Sequence, residues 1–142
     1  MIMGNKITLF QKLVYAATKK IPRGKVSTYR DIARAIGRSK SARAVGNALN
    51  KNPFALASIR RGVLSSRSGP VVPCHRVVKS TGEIGGFASG CGDKIKLLRK
   101  EGVLVEKGRV VDFENKRVFF SFTKYEMSEI RKDDEMLTFC IS

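Results

Sequence analysis

Three short helix-forming stretches fill most of the first fifty residues and constrain the fold more than any other feature. In the first, 7–20, apolar residues recur at helical spacing and lysines stand at the C-terminal end, where cations are favoured. The break IPRG at 21–24 precedes a second stretch, 28–37, which ends at a glycine. A third follows at 41–50. The pattern predicts three short helices in succession.

The second and third helices have the spacing of a helix-turn-helix, in which two short helices are joined by about four residues that include a glycine. The second helix of such a motif normally lies in a DNA groove. Helix pairs joined by short turns also occur in proteins that never contact DNA. The spacing alone therefore leaves both interpretations open.

The third helix, SARAVGNALN, is slim because small residues recur along it, and Arg43 is its one long cationic side chain. The small residues are Ala42, Ala44, Gly46 and Ala48. A slim helix can enter a groove deeply. Close packing against a neighbouring helix selects the same residues, so the pattern by itself does not choose between the two.

Positive charge is concentrated in residues 1–123. The sequence has 28 Lys and Arg against 12 Asp and Glu, a formal net charge of +16. Residues 124–142 hold three basic and five acidic side chains, so residues 1–123 hold 25 basic and 7 acidic ones, a net of +18. Such an excess favours a polyanionic partner, because each cation that neutralises a phosphate releases a counterion. The alternative is a charged surface that only keeps the protein soluble.

The cysteines and the hydropathy of the chain indicate the cellular compartment in which the protein works. The cysteines Cys74, Cys91 and Cys140 are odd in number and lack CxxC spacing, which argues against a disulfide framework and a structural zinc site. No run approaches the roughly 18 apolar residues of a membrane helix, and the N-terminus lacks the features of a signal peptide. We therefore expect a cytoplasmic protein without a membrane partner.

The rest of the chain alternates loops and short elements. The Ser-, Gly- and Arg-rich segment 52–70 is predicted to be a surface loop, and 93–100 a helix with Gly102 near its C-cap. The segments VLVEKGRVVDF, at 103–113, and RVFFSF, at 117–122, are predicted to form short strands or a hairpin around Lys107-Gly108. We expect one domain over 1–123 and a mixed-charge tail over 124–142.

Cys74 is the candidate nucleophile. A thiol reacts as thiolate, and a neighbouring base or positive charge favours that form. Cys74 is followed by His75, the only histidine of the chain, and by Arg76. Since neighbours on an extended strand point to opposite faces, a Cys74–His75 pairing requires a turn or a bridging water. An inert buried cysteine is the alternative.

Five blocks in order resemble the O6-alkylguanine-DNA alkyltransferases, also called methylated-DNA protein-cysteine methyltransferases, in their C-terminal catalytic domain. The blocks are PRGKVSTYRDIA, SARAVGNALNKNP, VPCHRVV, the glycine-rich stretch 80–86 and LLRKEG. The resemblance implies a mainly α fold with short β elements (α+β). It also implies a winged-helix-like helix-turn-helix domain that binds DNA and carries the active-site cysteine.

The resemblance assigns roles to the residues that match the family's motifs. Cys74 would accept the alkyl group, and His75, oriented by Glu101, would withdraw its proton through a water. Tyr29 would help to rotate the damaged nucleotide out of the duplex and donate a hydrogen bond to the guanine. Arg43 would fill the vacated space, with the slim helix, including Ala42, Ala44 and Gly46, in the minor groove.

Further matches would complete the base pocket. Asn52 would tie the recognition helix to the active-site turn, and the backbone of Val77 and of Phe87-Ala88 would line the pocket. Phe87 stands where the family often has tyrosine, so a ring contact survives but a hydroxyl hydrogen bond does not.

The implied reaction is one irreversible transfer of a methyl or other alkyl group from guanine O6 in double-stranded DNA to Cys74. It needs no cofactor and no metal, and we expect a monomer to perform it.

Two departures and two rival functions accompany the resemblance. From the length of the chain we expect the family's additional N-terminal domain to be absent. The connection between Asn52-Pro53 and Pro73, including 54–70, is roughly fourteen residues longer than usual, which an exposed loop can absorb. Alkyltransferase-like proteins bind such lesions without transfer, but they replace the acceptor cysteine, often with Trp. A thiol hydrolase using Cys74 and His75 would explain neither Arg43 nor the positive charge.

Overall fold

The computed structural model describes residues 8–50, 72–85 and 91–131, and it is dominated by helices with two small sheets. The predicted loop 52–70 and the site residues Asn52, Phe87 and Ala88 lie outside the described residues. The elements are α1 (Leu9–Lys19), β1 (Ser27–Thr28), α2 (Tyr29–Ala35), α3 (Ala42–Asn50), a 3-10 turn (Cys74–Arg76), β2 (Val77–Val78), α4 (Cys91–Lys100), β3 (Val105–Glu106), β4 (Arg109–Val110), α5 (Phe113–Lys116) and α6 (124–131).

Local sequence signals start α1 where the pattern predicted a helix. Thr8 is the N-cap, and its hydroxyl accepts from the backbone N–H of Gln11 while the Gln11 side chain accepts from the backbone N–H of Thr8, a capping box. The helix buries Leu13, Val14 and Ala17 on one face. The predicted range 7–20 was therefore right to within two residues.

The pair α2 and α3 has the predicted helix-turn-helix spacing. The Thr28 hydroxyl caps α2 by accepting from the backbone N–H of Asp31 at 3.0 Å. At the other end, Gly37 has φ +76°, and the bonds Gly37 N–H to Arg34 O and Arg38 N–H to Ala33 O form a Schellman motif. Glycine ends α2 because it adopts this left-handed conformation without strain.

A parallel strand pair brings distant parts of the chain together. β1 pairs with β2 in the register Ser27 to Val77 and Thr28 to Val78. β1 runs directly into α2, and β2 directly follows the turn that holds Cys74. The pairing therefore places the start of α2 beside the cysteine turn.

The predicted helix before Gly102 and the predicted hairpin are both confirmed. α4 ends in a Schellman motif in which Gly102, at φ +87°, donates to Arg99 O, and Val103 donates to Leu98 O. β3 and β4 are antiparallel, and Lys107 and Gly108 both have positive φ, 51° and 77°. A two-residue turn with two positive φ values matches the right-handed twist of a hairpin.

The prediction of a strand over 117–122 was wrong. Arg117 makes only an isolated parallel bridge with Val26, and 118–123 has no regular structure. The reason is that β1 turns into α2 at Tyr29, which leaves this segment no strand to pair with. Arg117 is held by its side chain instead, which donates to both oxygens of the buried Asp31 at 2.8 and 3.0 Å.

The first residues of the predicted tail form α6. Met127 and Ile130 of this helix pack against the main core, and the Lys20 ammonium lies 2.7 Å from the Glu126 carboxylate. The division of the chain at residue 123 stays a prediction.

Two apolar clusters hold the elements together. The larger joins α1, α2 and α3 to Val72, Cys74 and Val77, and the smaller joins Val26 and Val78 to α4 and the hairpin. The cysteine turn thus lies between the helical core and α4. No helix in the described part of the chain is long and apolar enough to span a bilayer.

Candidate active site and nucleic-acid interface

Cys74 lies in a tight turn at the boundary of the core. Pro73 precedes it, and the Arg76 N–H donates to Pro73 O at 2.9 Å, which closes the 3-10 turn Cys74–Arg76. Cys74 is not in a disulfide, and the residue is only 5% exposed. The sequence required either a turn or a bridging water for Cys74 to pair with His75, and the structure has the turn. It places Cys74 and His75 in one buried corner.

His75 faces Glu101, which lies 26 residues further along the chain. Its Nε2 lies 3.2 Å from Glu101 Oε2, and the two side chains are 2% and 8% exposed. The approach lacks the alignment of a hydrogen bond, so Nε2 has no well-formed partner among the described residues.

Arg76 fixes the Glu101 carboxylate. It donates to both carboxylate oxygens, from Nε at 2.8 Å and from Nη2 at 2.6 Å, and its Nη1 donates to Ile21 O at 2.8 Å. Glu101 stands at the C-cap of α4, where the helix dipole disfavours a negative charge. The planar guanidinium offsets this by binding the carboxylate in two places.

The environment keeps His75 neutral and Glu101 ionised. Burial lowers the pKa of His75 below its ordinary 6.5, with the charges of Arg76 and Lys94 acting in the same direction against Glu101. Burial raises the pKa of Glu101, but the hydrogen bond from Arg76 and the interactions with His75 outweigh it and bring this pKa below the ordinary value. A neutral imidazole beside a carboxylate can accept a proton and then be stabilised as a cation.

Tyr29 is fitted closely between two glycines. A Cβ at Gly46 would lie 3.8 Å from the Tyr29 ring, and one at Gly85 would lie 3.4 Å from its hydroxyl. Gly85 has φ +73°, a left-handed conformation in which a side chain would be strained. The Lys94 ammonium donates to the Tyr29 hydroxyl at 3.4 Å.

The outer face of α3 is exposed and nearly smooth. Arg43, Ala44 and Asn47 lie on it, while Val45, Ala48 and Leu49 are buried in the core. Ala42 and Gly46 are half-buried. The small residues of α3 therefore serve both interpretations drawn from the sequence, since Ala48 packs inward and Ala44 leaves the outer face slim.

Tyr15 connects α1 to the end of α3. Its hydroxyl donates to Ala48 O at 2.9 Å, one of the last four carbonyls of α3, which lack partners within the helix. Burial raises the pKa of Tyr15, and the nearby charge of Cys74 raises it further. Tyr15 and Cys74 belong to the same buried cluster.

The structure brings together some of the predicted site residues. Cys74, His75, Glu101 and Val77 meet at the turn. Tyr29 directly follows β1, the strand that pairs with β2, and lies beside α3. Asn52, Phe87 and Ala88 lie outside the described ranges.

Sequence reasoning missed Arg76 as the carboxylate's partner, and it missed Lys94 and Tyr15. Lys94 had a signal: it shares the helical face of Leu97, Leu98 and Glu101, so a lysine stands at an apolar position.

The described residues contain no cluster of three or more His, Cys, Asp or Glu side chains that could hold a metal ion. The chemistry available to this site is that of a thiol, an imidazole, a phenol and paired charges.

The comparisons identify the family. Residues 9–103 match the family model described as 6-O-methylguanine DNA methyltransferase, DNA binding domain. The chain is 44% identical over 95 residues to a methylated-DNA--protein-cysteine methyltransferase of Methanosarcina acetivorans, a match that covers 67% of this chain and 52% of that protein. The chain thus spans about half the length of the curated relative it matches.

The solved structures to which the chain is similar include complexes with DNA. The Mycobacterium tuberculosis OGT in complex with DNA has a TM-score of 0.56 and 36% identity, covering 68% of this chain and 51% of that one. The S. pombe Atl1 in complex with damaged DNA containing O6-carboxymethylguanine has a TM-score of 0.57 and 31% identity, covering 83% and 98%. The chain belongs to the 6-O-methylguanine DNA methyltransferase family, which acts in DNA repair, and it contains that family's DNA-binding domain.

Proposed function

We propose that this protein repairs O6-alkylguanine in double-stranded DNA by transferring the alkyl group to Cys74, once per molecule. The observation that carries the proposal is the arrangement of the turn. Its thiol is buried, and the following residue, His75, is neutral and lies against the Glu101–Arg76 pair. A buried carboxylate and guanidinium that only packed the core would bring no advantage over apolar residues.

The proton and the electrons balance without a cofactor. His75 takes the thiol proton through a water, with Nε2 toward Glu101 and Nδ1 as the accepting nitrogen. The thiolate attacks the alkyl carbon, an S–C bond forms and the C–O6 bond breaks. The electron pair goes to guanine, which finally gains the proton that the thiol lost. The thioether product has no simple way back to a thiol.

Duplex recognition rests on α3 and on charge. Arg43 stands on an exposed face whose other side chains are small. A side chain that enters a base stack requires such surroundings. The net charge of +18 over residues 1–123 supplies attraction to phosphates. We expect the protein to act as a monomer. A thiol that must stay reduced to react requires a reducing compartment such as the cytoplasm.

A lesion-binding protein without transfer activity is the second candidate. The likeness to Atl1, solved with damaged DNA, favours it, because that match covers nearly all of Atl1. The presence of Cys74, buried beside a base, favours transfer.

The test is the intact mass of the protein after incubation with a duplex that contains one O6-methylguanine. We expect a single gain of about 14 Da, mapped by peptide analysis to Cys74 rather than Cys91 or Cys140. The Cys74→Ala variant should gain nothing, and an unmodified duplex should leave the wild type unchanged. Tight, lesion-specific binding with no gain in mass would establish the second candidate instead.

A further inference from the structure

Lys79 is an exposed lysine whose side-chain stem has a defined place. It directly follows β2, its backbone N–H donates to Glu83 O at 2.9 Å, and its carbonyl accepts from the Gly82 N–H at 2.9 Å. The stem lies over Gly85, because a Cβ placed on that glycine would be 3.4 Å from Lys79 Cγ. The turn and this contact together fix where the lysine leaves the surface.

The stem lies close to the Tyr29 hydroxyl. The position that a Cβ at Gly85 would take is 3.4 Å from the Tyr29 hydroxyl oxygen and equally far from Lys79 Cγ. The two atoms are therefore at most twice that distance apart. Since the ammonium is three bonds beyond Cγ, Lys79 brings a positive charge to the edge of the space beside Tyr29.

The carboxylate of the same turn does not neutralise Lys79. Glu83 Oε1 accepts from the Thr81 hydroxyl at 3.0 Å and lies 4.0 Å from Arg109 Nη2. Within the ranges that the structure describes, the Lys79 ammonium is in no ion pair or hydrogen bond. Its charge is therefore available to an anion from outside the chain.

A flipped nucleotide would bring phosphates to this place. Under the proposed function, the alkylated base leaves the duplex by rotation about its backbone and is bound beside Tyr29. The two phosphates that flank the base move with that rotation, whereas in an undamaged duplex they stay in the regular backbone. An ammonium with three donors suits a phosphate oxygen.

We propose that Lys79 binds a phosphate that flanks the flipped nucleotide and thereby stabilises the extrahelical state of the lesion. The inference rests on the proposed function. It separates Lys79 from basic residues whose attraction acts on any duplex. Lys79 contributes to the preference for damaged over undamaged DNA.

The experiment measures affinity for a duplex with one O6-methylguanine and for the same duplex with guanine, in the Cys74→Ala background, where no methyl transfer interferes. Lys79→Met should weaken lesion binding about tenfold, the value of one hydrogen bond to a charged group, and change binding of the undamaged duplex less than about twofold. For the lesion duplex, the slope of log affinity against log salt should become shallower by about 0.9, which corresponds to one phosphate.

Two further variants act as controls in the same background. Lys79→Arg keeps the charge and should retain most of the affinity for the lesion duplex. Lys96→Met removes an exposed lysine of α4 and should leave the preference for the lesion unchanged. The melting temperature should not change in any of these variants, because both lysines are exposed.

Uncharged DNA locates the contact. A methylphosphonate in place of the phosphate on the 5′ or the 3′ side of the lesion removes the charge of that phosphate. One of the two replacements should weaken binding by the Cys74→Ala protein about tenfold and have no further effect when Lys79→Met is added. With Lys96→Met added, the effect of the replacement should persist in full.

The outcomes separate this inference from the proposed function. The assignment of Lys79 is overturned by an unchanged affinity of Lys79→Met for the lesion duplex, by an equal loss on both duplexes, or by a methylphosphonate effect that persists in that variant. Alkyl transfer is judged by the gain in mass of the wild type. A wild type that prefers the lesion but gains no methyl group overturns transfer, and the affinities then decide the assignment of Lys79 by themselves.

Discussion

The exposed face of α3 and the buried turn at Cys74 differ in how they place charge. On α3, Arg43 projects from small residues into solvent, and its neighbours Ala44 and Asn47 are exposed as well. At the turn, Glu101 is 8% exposed and bound by Arg76 in two places. A solvated charge can be removed with little effect on folding, whereas an unpaired buried charge is costly. Function and stability should therefore separate on α3 and coincide at the turn.

The largest expected effect is at the turn. Arg76→Met leaves the Glu101 carboxylate buried without its main partner, so we expect a loss of about 3 kcal/mol in the free energy of unfolding. Methyl transfer should slow as well, because Glu101 is no longer held against His75. Urea unfolding and the single-turnover rate measure both effects.

The matched control for Arg76→Met is Arg109→Met, which removes an exposed arginine 4.0 Å from Glu83. We expect a change below about 0.5 kcal/mol there. Equal losses in the two variants would contradict the contrast between buried and exposed pairs.

On α3 the effect should fall on DNA alone. Arg43→Ala should lower the transfer rate at limiting duplex at least about tenfold, because the space vacated by the flipped base is no longer filled. The melting temperature should not change. A single-stranded oligonucleotide with the same lesion should be less sensitive to the substitution, since it has no base stack to fill.

Arg30→Ala, an exposed arginine on α2, serves as the control for Arg43→Ala and should only weaken duplex binding slightly. A loss of stability in Arg43→Ala, or the same loss of rate on single strands, would remove the distinction between the two regions.

The buried region should also respond to pH through His75. Its pKa is below 6.5 in the folded protein because of burial, so between that pKa and 6.5 the unfolded chain binds more protons. Stability should therefore fall as the pH is lowered through this window, by at most about 1.4 kcal/mol per pH unit, and be unaffected by His75 above it. Urea unfolding at several pH values measures the slope.

The variant His75→Gln should lose this part of the pH dependence while retaining that of the carboxylates. As the pH is lowered, the wild-type transfer rate should begin to fall only below pH 6.5, because His75 stays neutral down to its lowered pKa. A fall that begins above pH 6.5 would mean that burial does not govern this imidazole.

The smallest expected effect connects the two regions. Tyr15→Phe removes the hydrogen bond to Ala48 O at the end of α3, and we expect a loss of about 1 kcal/mol. Thermal unfolding measures it. Tyr125→Phe, an exposed tyrosine on α6, should have no effect. A neutral Tyr15→Phe would show that the end of α3 does not depend on this hydroxyl.

The local elements followed from the sequence because their causes lie within a few residues. The capping box at Thr8, the glycine ends at Gly37 and Gly102, and the Lys107-Gly108 turn are short-range interactions, and the predicted helices and hairpin agree with them. The strand predicted over 117–122 failed, since a strand requires a partner that only the tertiary structure supplies.

The sequence by itself determined the helix-turn-helix, the basic character and, through five ordered blocks, the family. Only the tertiary structure decided which groups share the buried corner. Glu101 meets Arg76 and His75 across 25 and 26 residues, and Lys94 meets Tyr29 across 65. These contacts depend on the parallel pairing of β1 with β2 and on where α4 ends, because burial and charge pairing are set by the whole fold and not by neighbours in the chain.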